Sequence, residues 1–81
     1  MAGAAMSHYL QTCRFCGKQD HGGSTTMVKY GLRHHAHHAC YLDAGKPLSD
    51  LHAWQIGTFP FRLIKDRGLM DEVERLTEGA A

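Results

Sequence analysis

The rhythm of apolar and polar positions changes at Pro47. Before it, the run Thr25, Thr26, Met27, Val28, Lys29, Tyr30 is β-branched and aromatic, which predicts a strand that Gly31 can turn toward Leu32 and Arg33 as a β-hairpin. The stretch from Arg33 to Ala44 predicts a helix from about residue 38 onward, with Gly45 and Pro47 as its stop. After Pro47 the apolar spacing is helical. Ser49 is a suitable N-cap for a helix over 50–56, with Asp50 in the first turn and Gly57 at the end. Thr58 can cap a second helix, with Pro60 in its first turn, through 61–67 to Gly68. A third runs over 69–77, with Leu69, Val73 and Leu76 at i, i+4 and i+7, and Glu72 and Arg75 spaced to pair on its outer face. Leu51, Trp54, Ile56, Phe59, Leu63, Ile64, Val73 and Leu76 are the expected core, packed on the preceding helix through Tyr41 and Leu42. Trp54, Phe59 and Phe61 are assigned to the core rather than to a binding patch, because so short a chain needs every large apolar side chain it has.

These elements define the expected class: a small α+β domain with a knuckle and β-hairpin, a ligand-bearing helix and about three further short helices. Residues 9–47 form the first module and 48–78 a helical module packed on it, within one domain. Residues 1–8 and 79–81 are expected to be flexible ends. An 81-residue chain that is 43% hydrophobic should fold, yet its core is too small to be stable without a staple. No apolar run is long enough for a membrane span, and the first residues lack the basic and apolar regions of a secretory signal. The net charge of +1 argues against strong non-specific attraction to phosphates. The basic excess lies in the first half, where Arg14, Lys18, Lys29, Arg33 and Lys46 face only Asp20 and Asp43.

Cysteine and histidine change the picture most. Cys13, Cys16 and Cys40 are odd in number, which disfavours a disulfide framework. Cys13 and Cys16 followed by His37 and Cys40 read Cys-x2-Cys-x20-His-x2-Cys, two close pairs of sulfur and nitrogen donors suited to one tetrahedral Zn²⁺. His37 is the expected fourth ligand because of its three-residue step to Cys40, and His34, three residues earlier on the same helical face, is the reserve. The other histidines are expected on the surface or around the ligands. A redox Cys-x-x-Cys would sit between a strand and a helix start, whereas glycine-rich turn chemistry follows Cys16. Thiolate ligands place the protein in a reducing cytoplasm.

On these residues the chain resembles zinc-knuckle and treble-clef fingers, and the Cys-x2-Cys…His-x2-Cys half of a LIM module. The order of the treble clef is the order expected here: knuckle, hairpin, then a helix N-terminus with the second ligand pair. The run from Lys29 to Cys40 is also similar to that of short zinc-finger reading frames in bacteriophages and prophages, which implies a phage-encoded origin. The resemblance covers residues 13–45.

The expected role is a structural zinc module acting as a protein-interaction adaptor, with an unknown protein as partner and no membrane. The alternative is a DNA- or RNA-binding finger that uses Arg14, Lys18, Lys29 and Arg33. A metal-dependent nuclease is the remotest reading. Four protein donors leave a zinc ion no open position, no Glu precedes Glu72 to act as a base, and the chain has no Asn of the kind found between the histidines of ββα-metal nucleases. No catalytic residue is assigned.

Overall fold

A computed structural model of the chain describes residues 10–78. The flexible ends expected at 1–8 and 79–81 lie outside the described residues. Strands β1 (Leu10–Thr12) and β2 (Gln19–His21) pair antiparallel, with Gln11 opposite Asp20. Strands β3 (Met27–Tyr30) and β4 (His34–His37) form a second antiparallel hairpin, with Lys29 opposite His35 and Tyr30 opposite His34. Helix α1 (His38–Asp43) follows without a break. A single 3₁₀ turn (Leu48–Asp50) leads to α2 (Ala53–Ile56), α3 (Phe61–Asp66) and α4 (Met70–Glu78). The architecture is the small α+β arrangement expected, with one addition: the knuckle itself is carried on a hairpin, β1–β2.

The two hairpins are joined by backbone. Cys13 makes a parallel bridge to His35, and the Arg14 N–H donates to the His35 carbonyl at 2.7 Å. Two glycines are required by the path. Gly17 has φ +75° directly after the second cysteine, where its N–H closes the turn on the Cys13 carbonyl at 3.0 Å. Gly45 has φ +77° and stops α1, its N–H donating to the Leu42 carbonyl at 3.0 Å.

The core lies between the β3–β4 hairpin, α1 and the helical half. Met27, Val28 and Ala36 come from the hairpin, Tyr41 from α1, and Leu48, Leu51, Ile56, Phe59 and Ile64 from beyond Pro47. Leu42, Leu63, Leu69, Val73 and Leu76 pack around its margin, so α4 lies along the outside. Tyr41 is the hub: its ring meets Tyr30 at 5.2 Å and Phe59 at 6.3 Å, and its hydroxyl donates to the Pro47 carbonyl at 2.8 Å. No helix of the described residues is long and apolar enough to cross a membrane.

Several local expectations are corrected. The helix expected over 50–56 is broken: Leu51 and His52 are extended, and Ser49 lies inside the 3₁₀ turn instead of capping a helix. Restarting at Ala53 puts Gln55 and Ile56 inward and leaves Trp54 65% exposed. Gln55 is buried with both ends of its amide used, accepting from the His52 N–H and donating to the Lys29 carbonyl. Phe59 takes the buried place ahead of Pro60, and Phe61, in the open first turn of α3, stays 67% exposed. Thr58 caps no helix; its hydroxyl donates back to the Gln55 carbonyl at 2.6 Å, and Pro60 holds the N-cap position of α3. Among the described residues, Glu72 and Arg75 form no ion pair, whereas Arg67 meets Asp43 at 2.6 Å and ties α3 to α1.

This packing separates core from surface in a measurable way. Leu48→Ala should cost about 2–5 kcal/mol, as cavity-forming leucine truncations do. Trp54→Ala should stay within about 0.5 kcal/mol, as for surface sites. Urea unfolding of the metal-supplemented protein, followed by circular dichroism, checks both; comparable losses at the two sites would refute the exposed position of Trp54.

Candidate metal centre

Each donor is delivered by a different feature of the fold. Cys13 follows β1, Cys16 sits in the turn closed at Gly17, His37 is the last residue of β4, and Cys40 lies in the first turn of α1. His37 is also the N-cap residue of α1, with extended backbone angles that swing its side chain back toward the knuckle. The three sulfurs and one imidazole nitrogen all lie within 4.8 Å of one another. His37 Nδ1 is 3.4 Å from Cys16 Sγ and 3.8 Å from Cys40 Sγ. Cys13, Cys16, His37 and Cys40 are thus positioned to bind one metal ion. All three cysteines are free thiols; Cys13 is fully buried and Cys16 exposed.

The local electrostatics prepare the sulfurs unequally. Burial opposes ionisation of Cys13, but hydrogen bonds from the backbone of Cys16, His37 and Phe15 outweigh it and bring the thiol down to about 6. Burial and the neighbouring Cys13 and Cys16 sulfurs push Cys40 up to about 11. On the outer side of the imidazole, His37 Nε2 lies 3.1 Å from Asp20 Oδ2, while Asp20 Oδ1 accepts the His21 N–H at 2.8 Å. The His21 backbone bond and the contact with His37 hold the Asp20 carboxyl below its ordinary value. Burial works against protonation of His37, yet Asp20 and Cys13 raise its pKa.

The structure brings together the four donors expected from the spacing and leaves the reserve ligand out. His34 and His37 are three apart on a strand rather than a helix, which turns them to opposite faces. The His34 ring lies against Tyr30, at 5.4 Å. His38, expected on the surface or around the ligands, faces the core instead. It is buried against Phe59 at 4.6 Å, with Nε2 in hydrogen-bond contact with Thr58 Oγ1 at 3.2 Å. Burial lowers the His38 pKa, against a hydrogen bond to the Ser24 backbone that raises it. Arg14, Lys18, Lys29 and Arg33 are all exposed. Lys29 pairs with His35, on the face of the hairpin opposite to Tyr30, whereas Arg14 is close enough to Tyr30 to influence its ionisation. Asp20 had no signal in the sequence: it stands 17 residues from His37, inside a glycine-rich stretch that reads as turn.

The unequal thiols define a pH response. With its thiol at about 11, Cys40 is protonated near neutrality and must give up that proton to an arriving ion. Protons and metal compete for the same lone pairs, so affinity should fall as the pH drops, and binding near pH 7 should release at least about one proton. Calorimetric titration in buffers of different ionisation enthalpy measures the release. Proton-neutral binding would contradict the assignment of Cys40 as a ligand.

Comparison of the chain with protein-family models, curated proteins and solved structures found no match.

Proposed function

We propose that the chain is a zinc-clamped module in which the ion is structural and the surface binds another protein. The observation that carries the zinc reading is the spacing of the donors. Zinc bonds of about 2.3 Å to sulfur and 2.0–2.1 Å to nitrogen give tetrahedral sulfur–nitrogen edges of about 3.5 Å. The two sulfur–nitrogen separations at His37, 3.4 and 3.8 Å, bracket that edge. Three thiolates and an imidazole complete the tetrahedron, and this supports a fold-holding ion with no open position for a reacting water. The binding free energy of such sites, about 10–16 kcal/mol in finger peptides, becomes folding free energy. The order knuckle, hairpin, ligand helix also supports kinship in shape with treble-clef fingers.

The adaptor reading draws on the exposed apolar side chains. Trp54 and Phe61 stand 65% and 67% exposed, and Leu32, at the tip of the β3–β4 hairpin, 91%. Aromatic side chains held in water are the groups that anchor protein interfaces. Nucleic-acid binding through Arg14, Lys18, Lys29 and Arg33 is the competing outcome of the same test.

Native mass spectrometry should find one zinc ion per chain, and EDTA should unfold residues 13–45 and loosen the helices packed on them. A chain that keeps its circular dichroism after verified removal of the metal would overturn the structural role. In pull-downs from the native host, zinc-loaded bait should retain a partner protein that Trp54→Ala and Phe61→Ala bait lose. Retention of nucleic acid instead, fading steeply with salt and abolished by charge reversal at Lys29 and Arg33, would replace the adaptor reading.

A further inference from the structure

We infer that Asp20 is the positioning residue of the metal centre: its carboxylate fixes the tautomer and the orientation of the His37 ring, so that Nδ1 presents its lone pair to the ion. The inference rests on the zinc reading above and assigns a role to a residue outside the donor set. The two nitrogens of His37 face different partners. Nδ1 points among the sulfurs, 3.4 Å from Cys16 Sγ and 3.8 Å from Cys40 Sγ, while Nε2 points away from them to Asp20 Oδ2 at 3.1 Å. A carboxylate only accepts hydrogen bonds, and a neutral imidazole has one N–H. The proton therefore sits on Nε2, and Nδ1 is left as the donor to the metal.

Asp20 is itself held in place. Its second oxygen accepts the His21 N–H at 2.8 Å, and its backbone lies in β2 opposite Gln11. The β1–β2 hairpin therefore does two things at the site. Through the turn between its strands it carries Cys13 and Cys16, and through β2 it orients the ligand that comes from the other hairpin. Carboxylate partners of ligating histidines raise the basicity of the ring, and their loss commonly lowers metal affinity 10- to 100-fold. The Asp20 side chain is 52% exposed, so water competes for it and the expected effect is at the lower end, about tenfold.

The test is a chelator-competition titration with zinc on the full chain and on Asp20→Ala and Asp20→Asn. The two substitutions are repeated in a His37→Cys background, where no Nε2–H exists to be held. Asp20→Ala should weaken binding about tenfold and Asp20→Asn, which keeps a neutral acceptor, less. In the His37→Cys background both should be silent. Nitrogen NMR of the zinc-loaded chain should show His37 protonated at Nε2, with that N–H exchanging faster with water in Asp20→Ala. A parent chain that takes up no zinc would sink the inference together with the zinc reading. A parent chain that loads zinc, with unchanged affinity in Asp20→Ala or an equal loss in both backgrounds, would sink the inference alone and leave Asp20 as a strut of the hairpin. Should the His37→Cys chain not load, an unaltered His37 N–H exchange in Asp20→Ala overturns it just as well.

Discussion

The convergence of Cys13, Cys16, His37 and Cys40 on one point is the constraint around which the rest of the fold is arranged. The two donor pairs belong to segments that neither helix nor hairpin geometry would bring together alone. The knuckle reaches β4 through one parallel bridge and one hydrogen bond, from Cys13 and Arg14 to His35, and β4 then runs directly into α1. The donors thus lie where two hairpins and a helix N-terminus meet. Three bare sulfurs gathered in so small a space interfere with one another's ionisation, as the upward shift of Cys40 beside Cys13 and Cys16 records. A divalent cation bound at that point would remove the conflict, and the four donors are positioned to hold one.

From that point order passes to the helical half through α1. One turn of this helix carries Cys40 toward the donors, while its neighbour Tyr41 enters the core and anchors the chain at Pro47. His38, adjacent to a donor, reaches the loop before α3 through Thr58. Arg67 and Asp43 add a third tie from the end of α3. A six-residue helix has little stability of its own. Its persistence here depends on the donor cluster at one end and the aromatic packing at the other.

The site was far more legible in the sequence than the packing. Cysteine and histidine at close, paired spacing carry their chemistry in their identities, so all four donors are legible in the sequence. His37 was preferred to His34 for its step to Cys40, and the strand that ends at His37 supplies a reason the spacing did not contain: on a strand, those two histidines face apart. Strand β3, the turn at Gly31, α1, α3 and α4 follow from turn glycines and apolar periodicity, whereas β4 lies on residues whose spacing reads as helical. Trp54 was misplaced because two extended residues, Leu51 and His52, reset the helical phase, and neither residue type announces a break. Asp20 and Gln55 were invisible for a different reason. Beside a local bond each, their roles rest on contacts across 17 and 26 residues, and a lone polar side chain carries no mark of the distant partner it will find.

Gln55 has a wider consequence. Lys29 and His35 face each other across the β3–β4 ribbon, and both of their carbonyls are occupied from outside it, one by the Gln55 amide and the other by the Arg14 N–H. A short ribbon with open flanks is a template on which further chains can add by main-chain pairing. Here a helix and a knuckle plug the two flanks within the same molecule. Although Trp54 and Phe61 stand exposed, the ribbon's flanks are thereby closed to the main-chain pairing through which fibres propagate.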